Sequence, residues 1–251
     1  MIYKDKGYIG NFEMNDIQDG KEKLTRYMKE LAEHDEIIAP IDGSTWYHYR
    51  LVSYTDGSPS FPMEPSNPLW YNDVYTDLGF VPIKKYFSAK GPVKNIKPYK
   101  ESERVNIRGF KSGDVHEMLQ TMYEISMASF TNNFLFHPIS YAEFEALYLP
   151  RFNRMDHDFI LVAEMDQKVV GFLLAFVTNG ILIVKTVAVV PEYRFAGIGG
   201  MIVNAVLVKA EKMGIKTSIA ALMAEDNTSR KAATRYGGKI FREYTLYGLK
   251  R

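Results

Sequence analysis

The sequence predicts a mixed α/β fold, in which helices pack against a sheet of parallel and antiparallel strands. Strand-like apolar segments alternate with short turn signals between residues 159 and 190, and an amphipathic helix pattern follows over residues 198–213. Of the 251 residues, 46% are hydrophobic and 24% are charged, which is typical of a globular chain and argues against disorder. The length allows one large domain or two small ones.

Composition excludes several classes of function. The 31 Lys and Arg residues nearly balance the 30 Asp and Glu residues, so we expect no overall attraction to nucleic acid or to an anionic membrane. The absence of cysteine excludes disulfides, thiolate metal sites and acyl-cysteine intermediates. The five histidines are scattered, so we expect no metal site. The charged N-terminal segment does not resemble a signal peptide, and the lack of cysteine fits a reducing compartment, so we expect a cytoplasmic protein.

From residue 104 onward, the elements are predicted in the order β-α-α-β-β-β-α-β-α-β. The apolar run 169–190 is long enough to span a membrane, but Asn179-Gly180 at its centre is a strong hairpin signal. Lys185 would also lie deep in lipid, so two antiparallel strands explain the run better. The predicted strands are 104–110, 159–164, 169–178, 181–190, 217–223 and 239–249, and the predicted helices are 112–132, 141–155, 198–213 and 228–236.

The first part of the chain differs from the second in composition. It contains both tryptophans, and a lysine-rich stretch broken by Gly91-Pro92 follows it. We place a boundary near residue 97, which gives domains at 1–97 and 98–251. The first domain is predicted to be a partial copy of the C-terminal half of the second. Its predicted elements are a strand at 7–14, a helix at 21–32, a strand at 36–41, a helix at 69–78 and a strand at 81–87.

The sharpest feature of the sequence is VAVVPEYRFAGIGG, from Val187 to Gly200. A strand is predicted to end at Pro191, and a helix begins close to Gly199. The glycines between them let main-chain N–H groups approach a ligand, and the unpaired N–H groups of the helix start add donors. With the charge-assisted donors of Arg194, this pattern predicts a pyrophosphate site. It lacks the Gly-Lys-Ser/Thr of a Walker loop and the third glycine of a dinucleotide-binding loop.

The pattern V-A-V-x-P-E-Y-R-x-x-G-I-G-G resembles the acetyl-CoA-binding segment of the GNAT acetyltransferase superfamily. The resemblance covers about residues 104–251 and implies a GNAT fold, with a smaller half-GNAT-like domain before it. It also implies acetyl-CoA as co-substrate, main-chain hydrogen bonds from the fourth strand to the pantetheine, and fourth and fifth strands that splay apart. The implied cofactor-binding residues are Val187, Ala188, Val189, Arg194, Phe195, Ala196, Gly197, Ile198, Gly199, Gly200 and Asn227, and Arg230 is a candidate contact of the 3′-phosphate of CoA.

Two positions depart from the family pattern that the resemblance implies. Lys185 stands where the family often has a glutamate base, and Thr234 stands where it often has a tyrosine acid. We therefore name three other catalytic candidates. The main-chain N–H of Val189 would polarise the thioester carbonyl, and Glu225 and Tyr244 are candidates for proton transfer. The alternative for each of these two side chains is a surface or packing role.

These features together predict an acetyl-CoA-dependent N-acetyltransferase. Because the chain has no cysteine, we expect the acetyl group to pass directly from the cofactor to a primary amine in a ternary complex. The acceptor is expected to be a small-molecule amine or a peptide amine. The sequence leaves open whether the protein forms a homodimer. The alternative is a CoA-binding sensor or a catalytically inactive regulatory module. An aminoacyl-transferase built from two such domains is disfavoured by the intact phosphate loop.

The first domain shows no phosphate loop of its own. Asp16 and Asp19 lie where that loop would be, and their carboxylates would repel a pyrophosphate, so this domain is predicted to lack a cofactor. A cluster of aromatic residues in it either lines an acceptor pocket or packs between the domains. The members of this cluster are Trp46, Tyr47, Tyr49, Trp70 and Tyr71.

Overall fold

The computed structural model describes residues 6–99, 104–110, 115–226, 233–234 and 236–250, with the main chain alone at Phe195. The chain forms two compact units. The first contains Met1–Ala89, Leu222–Arg230 and Ile240–Arg251, and the second contains Lys90–Ala221 and Lys231–Lys239. The predicted boundary near residue 97 lies shortly after the first passage between the units, and the chain later returns to the first unit twice.

The elements are numbered in chain order. The strands are β1 (Lys6–Tyr8), β2 (Glu36–Ala39), β3 (Leu51–Thr55), β4 (Val81–Pro92), β5 (Val105–Gly109), β6 (Ile160–Met165), β7 (Lys168–Thr178), β8 (Ile181–Val189), β9 (Thr217–Ala224) and β10 (Lys239–Lys250). The helices are α1 (Ile17–Glu30), α2 (Tyr71–Asp77), α3 (Val115–Ser129), α4 (Tyr141–Phe152) and α5 (Ile198–Lys212). The helix predicted over 228–236 lies mostly outside the described residues. Both units combine helices with parallel and antiparallel strand pairs, which confirms the mixed α/β fold class.

The first unit is built around β2 and β10. Strand β2 pairs in parallel with β1 and antiparallel with β10, and β10 also pairs antiparallel with β3, a strand that was not predicted from the sequence. The core is aromatic, because Tyr75 stacks on Tyr247 with 5.4 Å between ring centroids and meets Phe80 edge-on at 5.4 Å. Trp70 and Tyr71 pack in this same core, so two members of the predicted aromatic cluster stabilise the first unit.

The first strand and helix differ from the predicted bounds. Strand β1 ends at Tyr8, and the chain soon turns at Asn11, whose φ of +47° is left-handed. Helix α1 begins at Ile17, because the Asp16 carboxylate caps it by accepting a hydrogen bond from the Asp19 N–H at 2.8 Å. A main-chain hydrogen bond from Asn15 lowers the pKa of the Asp19 carboxyl. The two aspartates therefore close the N-terminus of α1.

The second unit contains a sheet in the order β9-β8-β7-β6-β5, with β8 and β9 parallel and the other pairs antiparallel. The turns that precede and follow β7 have positive φ at Asp166 and Gln167, and at Asn179 and Gly180. Two successive left-handed residues are what a tight type I′ hairpin requires. The hairpin predicted at Asn179-Gly180 is confirmed. Among the described residues, no helix has the length and apolar character needed to cross a membrane.

Helix α5 is anchored by one apolar face. Ile198, Ile202 and Val206 are fully buried, at the i, i+4 and i+8 spacing of a helix stripe. They share a core cluster with Leu173 and Ala175 of β7. Each such buried side chain contributes roughly 1.5–3 kcal/mol to stability. This packing fixes where the connection from β8 must turn into α5.

Candidate active site

The connection between β8 and α5 is a 3-10 turn over Pro191–Ala196 followed by Gly197. Gly197 has φ +73° and ψ 8°, which is left-handed backbone. A β-carbon at this position would have no other atom within 4 Å, so the backbone angle, and not crowding, favours glycine. The predicted positions of the turn and of the helix start at Ile198 are confirmed.

The start of α5 presents unpaired main-chain donors. The N–H of Met201 bonds to the Gly197 carbonyl at 3.1 Å, which closes the first helical turn. The N–H groups of Gly197, Ile198, Gly199 and Gly200 precede that bond and have no intrahelical acceptor. In the described part of the chain, no side chain caps this helix. Unlike α1, which its aspartates close, α5 therefore offers an amide cradle to an anion.

Along the last residues of β8, the strand edge that faces β9 is not paired with it. The parallel pairing between these strands runs from Ile181 opposite Thr217 to Val184 opposite Ala220, where the register ends. Lys185 is an extra residue in the pairing with β7, because the register shifts at that point. Such a bulge bends a strand and increases its twist. Within the described residues, positions 186–189 continue to pair only with β7.

The donors of this open edge can be identified from the β7–β8 register. The N–H of Val190 bonds to the Val170 carbonyl at 2.9 Å. Bonded and non-bonded pairs alternate along an antiparallel ladder, so the N–H groups of Val187 and Val189 point away from β7. They therefore face the open edge, where an extended ligand chain can hydrogen-bond to them. Between them, Ala188 turns its side chain into the core, with 2% exposure.

A segment before β5 lies along α5, a role that its sequence does not indicate. The buried Asn204 side chain accepts a hydrogen bond from the Tyr99 N–H at 2.7 Å and donates one to the Lys97 carbonyl at 3.0 Å. These bonds hold the Tyr99 ring over the start of the helix. A β-carbon on Gly200 would lie 3.4 Å from the Tyr99 hydroxyl. Gly200 of the motif therefore also permits close packing of Tyr99 against the helix start.

Gly171 of β7 sets how closely the end of β8 packs against β7. A β-carbon at this position would lie 2.9 Å from the Ala188 carbonyl oxygen and 3.1 Å from a Val189 methyl group. We expect Gly171→Ala to displace the end of β8, to lower the free energy of unfolding by about 1–3 kcal/mol, and to weaken CoA binding. Denaturant unfolding and CoA titration measure both effects. Gly109→Ala is the control, because no atom lies within 4 Å of its new carbon; equal losses in both variants would contradict the prediction.

Arg194 ties the turn to α3. Its Nη2 donates a hydrogen bond to the main-chain carbonyl of Ser129, the last residue of α3. Helix C-termini attract positive charge, so this contact is favourable. It leaves other guanidinium N–H groups of this exposed side chain as donors. Whether they reach a pyrophosphate stays a prediction, as do the roles of Ala196, whose side chain is exposed, and of Phe195.

The other predicted site residues either lie in the first unit or are not among the described residues. Asn227 and Arg230 are outside the described residues. Glu225 lies just after β9 and is exposed, and its carboxylate accepts a hydrogen bond from the Lys85 N–H at 3.3 Å. Tyr244 of β10 is fully buried, and burial together with the neighbouring carboxylate of Glu64 raises its pKa.

The Tyr244 hydroxyl belongs to a hydrogen-bond chain with a fixed direction. The Leu222 N–H donates to the Ser88 Oγ at 3.1 Å, and that oxygen lies 2.8 Å from the Tyr244 hydroxyl. The Tyr244 hydroxyl donates to the carboxylate of Glu64, which can only accept. Ser88 must therefore donate to Tyr244, and the tyrosine proton points at Glu64. This chain stabilises the first unit, and a proton-transfer role for Tyr244 stays a prediction.

Comparison with known proteins agrees with this geometry. Residues 119–237 match the model of the acetyltransferase (GNAT) family. A search of curated proteins gave no match. The structure is similar to that of a GCN5-related N-acetyltransferase from Sphaerobacter thermophilus, with a TM-score of 0.60 and 15% identity over 91% of this chain and 65% of that chain.

Two further solved structures have similar folds. One is the GCN5-related glucosamine N-acetyltransferase region of a fungal multi-domain GH3 beta-N-acetylglucosaminidase, with a TM-score of 0.57 and 14% identity over 90% of this chain and 27% of that chain. The other is a tandem GNAT protein from the clavulanic acid biosynthesis pathway, with a TM-score of 0.54 and 13% identity over 92% of this chain and 68% of that chain. At these identities the likeness shows the fold alone, and the chain spans less than two thirds of the first two relatives. The part of the chain that matches the acetyltransferase (GNAT) family, residues 119–237, includes the open strand edge and the amide cradle.

Proposed function

We propose that the protein is an acetyl-CoA-dependent N-acetyltransferase that transfers acetyl directly to a primary amine in a ternary complex. The observation that carries this proposal is the uncapped start of α5 beside the open edge of β8. Four N–H groups at one point suit the doubly charged pyrophosphate of CoA, and an open strand edge suits its extended pantetheine chain. The residues present therefore fit acetyl-CoA, which would supply the activated acetyl group.

The main chain of this site supports acetyl transfer without a nucleophilic side chain. The N–H of Val189 faces the open edge and can donate to a carbonyl oxygen that gains negative charge during amine attack. Holding the amine against the thioester also removes much of the entropic barrier of a two-molecule reaction. The absence of cysteine from the sequence fits direct transfer.

Glu225 stays our candidate for accepting a proton from the amine. Its carboxylate is exposed and keeps one oxygen free of the hydrogen bond to Lys85, so it can accept a proton directly or through water. The predicted role of Tyr244 requires that its hydroxyl first leave Glu64. We propose that Tyr244 instead positions Leu222, near the end of β9, through Ser88.

A thermal-shift titration with CoA and acetyl-CoA tests the cofactor claim. A ligand that binds only the folded state raises the melting temperature, and we expect a rise for the parent protein. Arg194→Ala should show a smaller rise, because the loop loses its tie to Ser129. Arg151→Ala is the control, since this exposed arginine also bonds to a main-chain carbonyl but lies in α4. No rise in the parent protein would contradict the proposal.

Release of free CoA in the presence of an amine panel tests the reaction. We expect turnover with at least one primary amine. Binding of acetyl-CoA without turnover across a broad panel would instead support a CoA-binding sensor or an inactive regulatory module.

A further inference from the structure

Arg50 of the first unit carries a buried positive charge that its neighbours do not pair. The residue is 8% exposed. Its guanidinium carbon lies 4.2 Å from the ring centroids of both Tyr49 and Tyr86, and 5.7 Å from that of Tyr244. In the described part of the chain, its buried Nε and Nη1 atoms have no hydrogen-bond partner. Ring faces attract the cation, but its in-plane N–H groups still need acceptors, and leaving buried charged donors unpaired is unfavourable.

Two carboxylates that lie near these tyrosines, Glu64 and Asp226, are already engaged. Glu64, with its side chain fully buried, accepts hydrogen bonds from Arg242 at 2.6 Å, from the Phe61 N–H at 3.1 Å and from Tyr244. Asp226 is 69% exposed and is paired with Lys84 at 2.6 Å. The buried group of two arginines and one glutamate therefore has one uncompensated positive charge, and Arg50 carries it.

The backbone holds Arg50 in an unusual conformation. Its φ is +68°, in the left-handed region that non-glycine residues rarely occupy, and its N–H bonds to the Pro40 carbonyl at 3.0 Å. A bridge between Ile41 and Tyr49 closes the preceding loop. Such backbone strain is unfavourable and occurs preferentially where a ligand is bound. Strain and an unpaired buried charge thus coincide at one residue.

The charge and the surrounding rings indicate the ligand class. A guanidinium binds carboxylates through two parallel hydrogen bonds, and either Nε or Nη1 forms such a pair of donors together with Nη2. A carboxylate supplies the single negative charge that the group lacks. A phosphate would bring nearly two negative charges close to Glu64 and is therefore disfavoured. The tyrosine rings suit the apolar part of a small molecule.

We propose that Arg50 binds the carboxylate of a small-molecule ligand in the first unit. The residues involved are Tyr49, Arg50, Glu64, Tyr86, Arg242 and Tyr244, all of which belong to that unit. The site therefore holds independently of whether α5 binds CoA.

Matched pairs of probes test this site without CoA. L-leucine and L-phenylalanine are compared with 3-methylbutylamine and 2-phenylethylamine, which lack the carboxylate, and acetate serves as the simplest carboxylate. At about ten times the dissociation constant, we expect a carboxylate to raise the melting temperature of the full chain by roughly 3 °C. Each amine without a carboxylate should give a smaller rise than its carboxylate counterpart.

Variants then identify the residue. We expect Arg50→Met to abolish the rise and Arg50→Lys, which keeps the charge but loses the paired donors, to reduce it. Arg26→Met is the control, because this exposed arginine also lies over a tyrosine ring, at 5.2 Å from the centroid of Tyr27. Circular dichroism shows which variants fold. If no carboxylate shifts the parent protein more than its amine counterpart, or if Arg50→Lys keeps the full rise, the arginine is structural and the proposed site is wrong.

Discussion

Replacing Glu64 with alanine is expected to lower the free energy of unfolding by about 3–5 kcal/mol, the usual loss when one partner of a buried ion pair is removed. The Glu64 and Arg242 side chains are 0% and 5% exposed, and their atoms approach to 2.6 Å. The substitution leaves the Arg242 charge buried and also removes the acceptor of the Tyr244 proton. For a chain of this length we expect the melting temperature to fall by roughly 6–20 °C.

A surface ion pair provides the control for this prediction. Asp77 and Lys21 also approach to 2.8 Å, but their side chains are 52% and 36% exposed. Solvent screens such a pair, so Asp77→Ala should change the free energy of unfolding by less than about 1 kcal/mol. Denaturant unfolding of both variants measures the difference. Losses of unfolding free energy of similar size in both variants would show that the buried contacts of Glu64 do not stabilise the first unit more than a surface ion pair does.

The parts of the site that were predicted from sequence are those set by local chemistry. The turn from β8 into α5 depends on glycines and on the apolar spacing of Ile198 and Ile202, all within one short segment. The hairpin at Asn179-Gly180 is equally local, because both residues adopt positive φ readily. Patterns of this kind are visible in one sequence without knowledge of distant partners.

The parts that were missed depend on contacts between distant residues. Strand β3 has five residues, and its partner β10 follows almost at the end of the chain, so no turn signal joins them. Nothing in the sequence marks Asn204 or Tyr99, and only the fold brings the Tyr99 N–H within 2.7 Å of the Asn204 side-chain oxygen. Arg50 gives no signal in sequence, because its character comes largely from the rings of Tyr86 and Tyr244 and from an ion pair, all contributed by distant segments. Buried polar clusters are therefore the features that required the structure.

Replacing Gly197 with aspartate is expected to weaken CoA binding at least tenfold. Aspartate tolerates left-handed backbone better than most residues, and nothing lies within 4 Å of the new β-carbon, so the variant should fold. Its carboxylate would lie at the start of α5 and would compete with the proposed ligand for the N–H groups there. At about 6 Å in water, its charge also repels a doubly charged pyrophosphate by roughly 1.4 kcal/mol, which is a tenfold change in affinity.

Gly197→Asn separates the two effects. Asparagine tolerates the same left-handed backbone and caps helices nearly as well as aspartate, but it has no charge. We therefore expect Gly197→Asn to bind CoA more weakly than the parent protein and more tightly than Gly197→Asp. The gap between the two variants should shrink as salt is raised, because ions screen exposed charges. Equal affinities of both variants at low salt would mean that no phosphate approaches the start of α5, and the proposed acetyl-CoA site would then be wrong.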